Sequence, residues 1–113
     1  MAKYERTLSG DFRGLLAAVE QGIMKGSVSA SLEDQSNFEA GDVRVAVRVF
    51  ERYSWLGSNR VSLSVTMVGQ GGNIFVSAIT SGGSQAVFFK INTFGEGAFL
   101  DKLREIVDGY AGR

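Results

Sequence analysis

The sequence predicts an α+β domain of two layers. The expected sheet is antiparallel, of about five to six strands, with two helices on one face, in the order β-α-β-β-β-β-β-α. Three observations predict it. The stretch Asp42–Val68 alternates with period two, and apolar stripes of helical spacing lie near both ends of the chain. Between them, turns made from Gly, Ser and Asn separate short alternating runs, in a chain with 15 glycines and no proline. At 113 residues the whole chain, 1–113, reads as a single domain able to build one core without staples.

The elements follow in order. Lys3–Leu8 is a short strand with Tyr4, Arg6 and Leu8 on one face. Ser9-Gly10-Asp11 opens a helix, with Ser9 or Gly10 as N-cap and Asp11 near the positive end of the dipole. Phe12, Leu15, Leu16, Val19 and Ile23 form its apolar stripe, and Lys25-Gly26 supply a terminal cation and a left-handed cap. Ser27–Glu33 alternates as a strand, with Val28, Ala30 and Leu32 inward, and Asp34–Gly41 reads as an exposed connection.

The central hairpin comes next, turning at Leu56-Gly57-Ser58-Asn59. Val43, Val45, Val47 and Val49 make the apolar side of its first strand, and Val61, Leu63, Val65 and Met67 that of its second. Both sets are expected to face the core. After a turn at Gln70-Gly71-Gly72-Asn73 come strands Ile74–Thr80 and Gln85–Asn92, joined at Ser81-Gly82-Gly83-Ser84. Each of these strands is apolar on both faces over part of its length, Phe75 and Ile79 opposing Ile74, Val76 and Ala78 in the first. Thr93-Phe94-Gly95-Glu96 reads as a capping box, and Phe99, Leu103, Ile106, Val107 and Tyr110 stripe the last helix.

Composition narrows the chemistry. The chain has neither histidine nor cysteine, which removes Ser-His-Asp and Cys-His nucleophile systems, imidazole and thiolate metal sites, and disulfides. No DxDxDG calcium loop occurs, and no cofactor or metal is expected. Gly69–Gly72 and Ser81–Ser84 lack the lysine and following helix of a phosphate loop, so hairpin turns are the better reading. An enzyme would have to use carboxylates such as Glu51 or Asp42. No apolar run is long enough to span a bilayer, and MAKYERTLSGDF lacks the apolar region of a signal peptide, so a cytoplasmic protein is expected.

One surface stands out. Arg44, Arg48 and Arg52, with Ser62, Ser64 and Thr66, are expected on one polar sheet face. The ordinary reading is a solvated outer face. Two functional readings compete with it: a site for a small anionic ligand, matched to the guanidinium fork, or self-pairing into a homodimer helped by Phe50, Phe88, Phe75 or Ile79. Four arginines against one glutamate, with Phe50, Tyr53 and Trp55 among them, also suggest a sheet-surface nucleic-acid binder. Zero net charge argues against that partner and against a membrane surface.

At SVSASLED, GDVRVAVRVFERYS, NRVSLSVT, SAITSGGSQAVFFKINTFGE and FLDKLREIV the chain resembles an uncharacterised family of small bacterial proteins carried as a domain of unknown function (6054). That resemblance covers nearly the whole chain and implies no activity, cofactor or site residue. In element order the chain is also similar to helix-grip and TBP-like folds, which host lipid binders, nucleic-acid binders and enzymes alike. The expectation is therefore a non-catalytic binding or interaction module that self-associates, with Arg44, Arg48, Arg52, Ser62 and Ser64 as candidate ligand- or partner-binding residues. The alternative is a small-molecule carrier with a cavity among Val45, Val47, Leu63, Val65, Phe99 and Leu103.

Overall fold

A computed structural model describes residues 2–26, 29–53, 60–82 and 89–112, with side chains from 89 to 98 left aside. The elements are strand Ala2–Ser9 (β1), helix Phe12–Gly26 (α1), strands Ser31–Ala40 (β2), Val43–Tyr53 (β3), Arg60–Gln70 (β4) and Asn73–Gly82 (β5), and helix Phe89–Ala111 (α2). The five strands form one antiparallel sheet in the order β1-β5-β4-β3-β2. The fold class is the expected α+β.

Helix α1 leaves β1 at one edge of the sheet and delivers the chain to β2 at the other. Its 15 residues span about 22 Å, close to the roughly 19 Å across four strand spacings. Leu15, Val19 and Ile23 are fully buried against the sheet. The N-cap is Asp11 rather than Ser9 or Gly10: its Oδ2 accepts the Gly14 N–H at 2.7 Å, satisfying one of the free amides of the first turn.

Along α1, Gly14, Ala18, Gly22 and Gly26 recur every fourth residue and form the seam on which α2 packs. A Cβ at Gly22 would run into the Ile106 side chain, so the glycine permits the close approach. The end of α2 is pinned to β1 by Asp108, whose Oδ1 accepts from the Tyr4 hydroxyl at 2.6 Å and Arg6 Nη1 at 2.7 Å. Tyr110 ties α2 to the start of α1 by donating to the Asp11 carbonyl at 3.1 Å.

Three expectations about elements are corrected. Residues 34–40, read as a connection, belong to β2, while the strand expected over Ser27–Glu33 begins only at Ser31. β2 is an edge strand exposed along nearly its whole length, so burial imposes no alternation on it, and it carries a register shift between Leu32 and Asp34. Residues 89–92, read as strand, are helical, and residues 85–88 lie outside the described set. Thr93–Glu96 therefore falls inside α2 and does not start it. The two-residue turns at Gly41-Asp42 and Gly71-Gly72 hold Gly41 and Gly71 at φ +60°, where glycine carries no steric penalty. The turn expected at Leu56–Asn59 lies outside the described residues.

Candidate functional site

Strand register decides which residues share a face. Arg48 lies opposite Val65, and Arg52 opposite Val61, whereas Val49 lies opposite Ser64 and Val47 opposite Thr66. Directly opposed residues point to the same side of a sheet. The arginines of β3 therefore share the helix-covered side with Val61, Leu63, Val65 and Met67 of β4, all buried. Ser62 and Ser64 lie on the other side, with the β3 valines. The expected polar face of Arg44, Arg48, Arg52, Ser62 and Ser64 does not exist as one surface.

The three arginines have separate surroundings. Arg48 is 5% exposed; its Nε reaches Glu20 Oε2 of α1 at 2.6 Å, and its Nη1 donates to the carbonyls of Val47 at 2.9 Å and Ser36 at 3.3 Å. Arg52 lies over the Phe99 ring, 4.6 Å from its centroid, and burial lowers its guanidinium pKa from the ordinary value. Arg44 is half-exposed beside Glu39, at 3.8 Å. Engaged with Glu20, the Phe99 ring and Glu39 respectively, the three guanidinium groups do not converge on one small anion. Sequence reasoning misses Glu20, the partner that holds Arg48. Its signal is present: it is the one carboxylate within α1.

The other candidates also disperse. Glu51 pairs with Arg60 at 3.1 Å, whereas Asp42 sits in the exposed turn at the opposite end of β3. They are about 30 Å apart along the strand and cannot act as a carboxylate pair. The carrier cavity is not walled as expected. Val45 and Val47 point away from the helices, while Leu63, Val65, Phe99 and Leu103 are each at most 1% exposed within the packed core. A shallow, open groove of about 530 Å³ lies between α1 and α2, along the small-residue seam. Tyr53 lies on the valine side, as its shared parity with the β3 valines implies, and is 55% exposed, while Trp55 lies outside the described residues.

What remains is the side of the sheet away from both helices. It carries Val43, Val45, Val47 and Val49 from β3, Val68 from β4, Phe75 and Ile79 from β5, and Phe38 from β2. Phe38 is 62% exposed, Ile79 42% and Phe75 38%. Ser62, Ser64, Thr66 and Ser77 interrupt this surface with hydroxyls. From Val43 to Val49, Ser62 to Val68 and Phe75 to Ile79 the residues on this side include no charge. Charges on the same side sit at its margins, as Lys3 and Glu5 on β1, Asp34 on β2, and the Glu51–Arg60 pair at one end. Five strands about ten residues long make a face of roughly 24 by 33 Å, about 800 Å². Among the described residues nothing covers it.

Comparison with known proteins yields a family match and no activity. A family model described as a family of unknown function (DUF6054) matches residues 1–111. No curated protein matches the sequence. Among solved structures, the protein TTHA0849 from Thermus thermophilus is similar at 10% identity, with 97% of this chain and 98% of that chain covered and a TM-score of 0.33, too low to carry an argument. Among the described residues no helix is long and apolar enough to cross a membrane.

Proposed function

We propose that the chain, which belongs to the DUF6054 family of unknown function, works as a non-catalytic interaction module whose contact surface is the open face of its sheet. One observation carries the reading: an uncharged field of valines with Phe38, Phe75 and Ile79, standing clear of both helices and rimmed by charge. Stable protein interfaces have this layout, with charge depleted at the centre and polar groups at the rim, and they bury about 800 Å² per partner. The association expected from the sequence thus moves from the arginine side, which the helices close, to the valine side. Ser62 and Ser64 stay within the contact surface; Arg48 leaves it.

Hydroxyl-radical footprinting in a cell lysate tests the reading. Phe38, Phe75 and Ile79 should be oxidised several-fold less in the lysate than in purified protein diluted until it is monomeric, while exposed Met24 of α1 should be oxidised equally in both. Oxidation of the three as fast in the lysate as in that monomer would show a face that is merely solvated.

A further inference from the structure

We infer that the occupant of the open face is a second copy of this chain, stacked face to face about a two-fold axis that runs along β4, parallel to the strands. The inference rests on the interaction-module reading and adds the partner and its orientation.

Two arguments select this occupant. The first is size: the face offers about 800 Å², the share each partner contributes to an interface of standard size, so a copy of the same sheet covers it completely. The second is charge. Residues Lys3, Ile79, Ser64, Val49 and Asp34 form one row across the sheet, each opposite the next, with lysine at one edge and aspartate at the other. A two-fold axis along β4 lays β1 of one copy over β2 of the other and keeps this row in register. Lys3 then meets Asp34 of the second copy at both margins. In the same arrangement β5 lies over β3, so Ile79 meets Val49, Phe75 meets Val45, and Thr66 meets itself on the axis. Twisted sheets stack within about 30° of parallel, which preserves these neighbours. The other two-fold choice, with the axis across the strands, sets β1 on β1 and β2 on β2, so Lys3 and Asp34, at opposite edges of the sheet, never meet. Complementary rims fix register in this way. The result is a helix-sheet-sheet-helix sandwich, closed by an isologous contact.

Size-exclusion chromatography with light scattering on the purified chain should give twice the 12.2 kDa chain mass. Carbodiimide treatment should then yield a covalent dimer linked between Lys3 and Asp34. Within one chain these residues are about 19 Å apart across the sheet, so a zero-length link between them has to join two copies. Val47→Lys should weaken the dimer at least about 100-fold, a factor of ten for each copy. Should that variant fail to fold, the charge swap serves instead: Lys3→Glu weakens the dimer and Lys3→Glu with Asp34→Lys restores it. A monomeric parent overturns the inference, as does a dimer that survives Val47→Lys or cross-links elsewhere. A monomer whose open face is protected only in lysate removes self-pairing alone, leaving the interaction-module reading in place. Absence of protection in both settings removes the reading itself.

Discussion

Arg48→Ala separates the two faces most sharply. From the sequence this arginine belongs to a binding surface, so its loss should weaken association and leave the melting temperature alone. The structure predicts the reverse. Arg48 is 5% exposed and couples α1 to the sheet through Glu20 while donating to the Val47 and Ser36 carbonyls. Losing one partner of a buried ion pair costs about 3–5 kcal/mol. Here the Glu20 side chain is 35% exposed, so water can take over part of the missing interaction, and about 2–3 kcal/mol is the expected loss. At about 4 °C per kcal/mol for a domain of this size, melting should fall by roughly 8–12 °C. Arg44, four residues away on the same strand, supplies the control. Its contact with Glu39 is long, and the two side chains are 43% and 64% exposed, so Arg44→Ala should cost under about 0.5 kcal/mol. Melts at one fixed protein concentration, followed by circular dichroism, would measure both. A double-mutant cycle with Glu20→Ala should give a coupling of at least about 1 kcal/mol. An Arg48→Ala protein that melts with its parent but no longer associates would refute the assignment of faces.

Other expectations follow from single contacts. Asp11→Ala removes the N-cap of α1 and should cost about 1 kcal/mol in denaturant unfolding. Gly82→Ala should be severe, about 2–3 kcal/mol, because Gly82 sits at φ +113° and a Cβ there would collide with the Arg60 carbonyl oxygen. Gly41→Asn, at φ +60° with open space around it, should be nearly silent in the same assay. Acid unfolding should respond to Asp108, whose pKa is lowered from its ordinary 3.8, first by the Tyr4 hydrogen bond and then by that of Arg6. Its contribution to stability is full above that ordinary value and disappears as pH falls through the lowered one. Asp108→Asn should therefore flatten the acid end of the melting-temperature profile, and an unchanged profile would show that the Tyr4–Asp108–Arg6 contact contributes nothing in solution.

The sequence carries the class of the fold because alternation and helical spacing are local, and local periodicity survives in almost every element here. Val61, Leu63, Val65 and Met67 are core residues as their alternation implies, and so are Leu15, Val19, Ile23, Leu103 and Val107 at helical spacing. β2 escapes such reading for a physical reason: neither of its sides is buried, so nothing forces SLEDQSNFEA to alternate. The assignment of faces fails differently. Alternation sorts the residues of one strand into two sets but does not say which set meets which set of the next strand; that is decided by the length of the connecting loop. Six residues separate Tyr53 from Arg60, so odd positions of β3 pair with even positions of β4. The four-residue turn expected at Leu56–Asn59 has the same parity, and would also set Val43, Val45, Val47 and Val49 beside the serines. Loop parity is therefore legible in the sequence, and it contradicts placing both apolar sets on one face.

With the parity applied, the apolar residues on both sides of β5 become informative. Ile74, Val76 and Ala78 continue the buried row of β4, while Phe75 and Ile79 continue the valine row of β3. The helices have only one side to cover, and on that side even a buried arginine is accommodated, because Glu20 accompanies it from α1. On the other side no charge interrupts the centre over three consecutive strands, although a charge there would meet water rather than core. A face that only had to be soluble would follow the pattern of β1, where Lys3 and Glu5 point outward at the sheet edge. On the function proposed above, β1 is the rim and β3 the middle of a contact surface. Exchanging the two patterns is the corresponding experiment. Val45→Lys with Val47→Glu would give β3 the exterior of β1, and it should leave a folded monomer that is more soluble than its parent; loss of the fold would show instead that the valine row serves stability within a single chain.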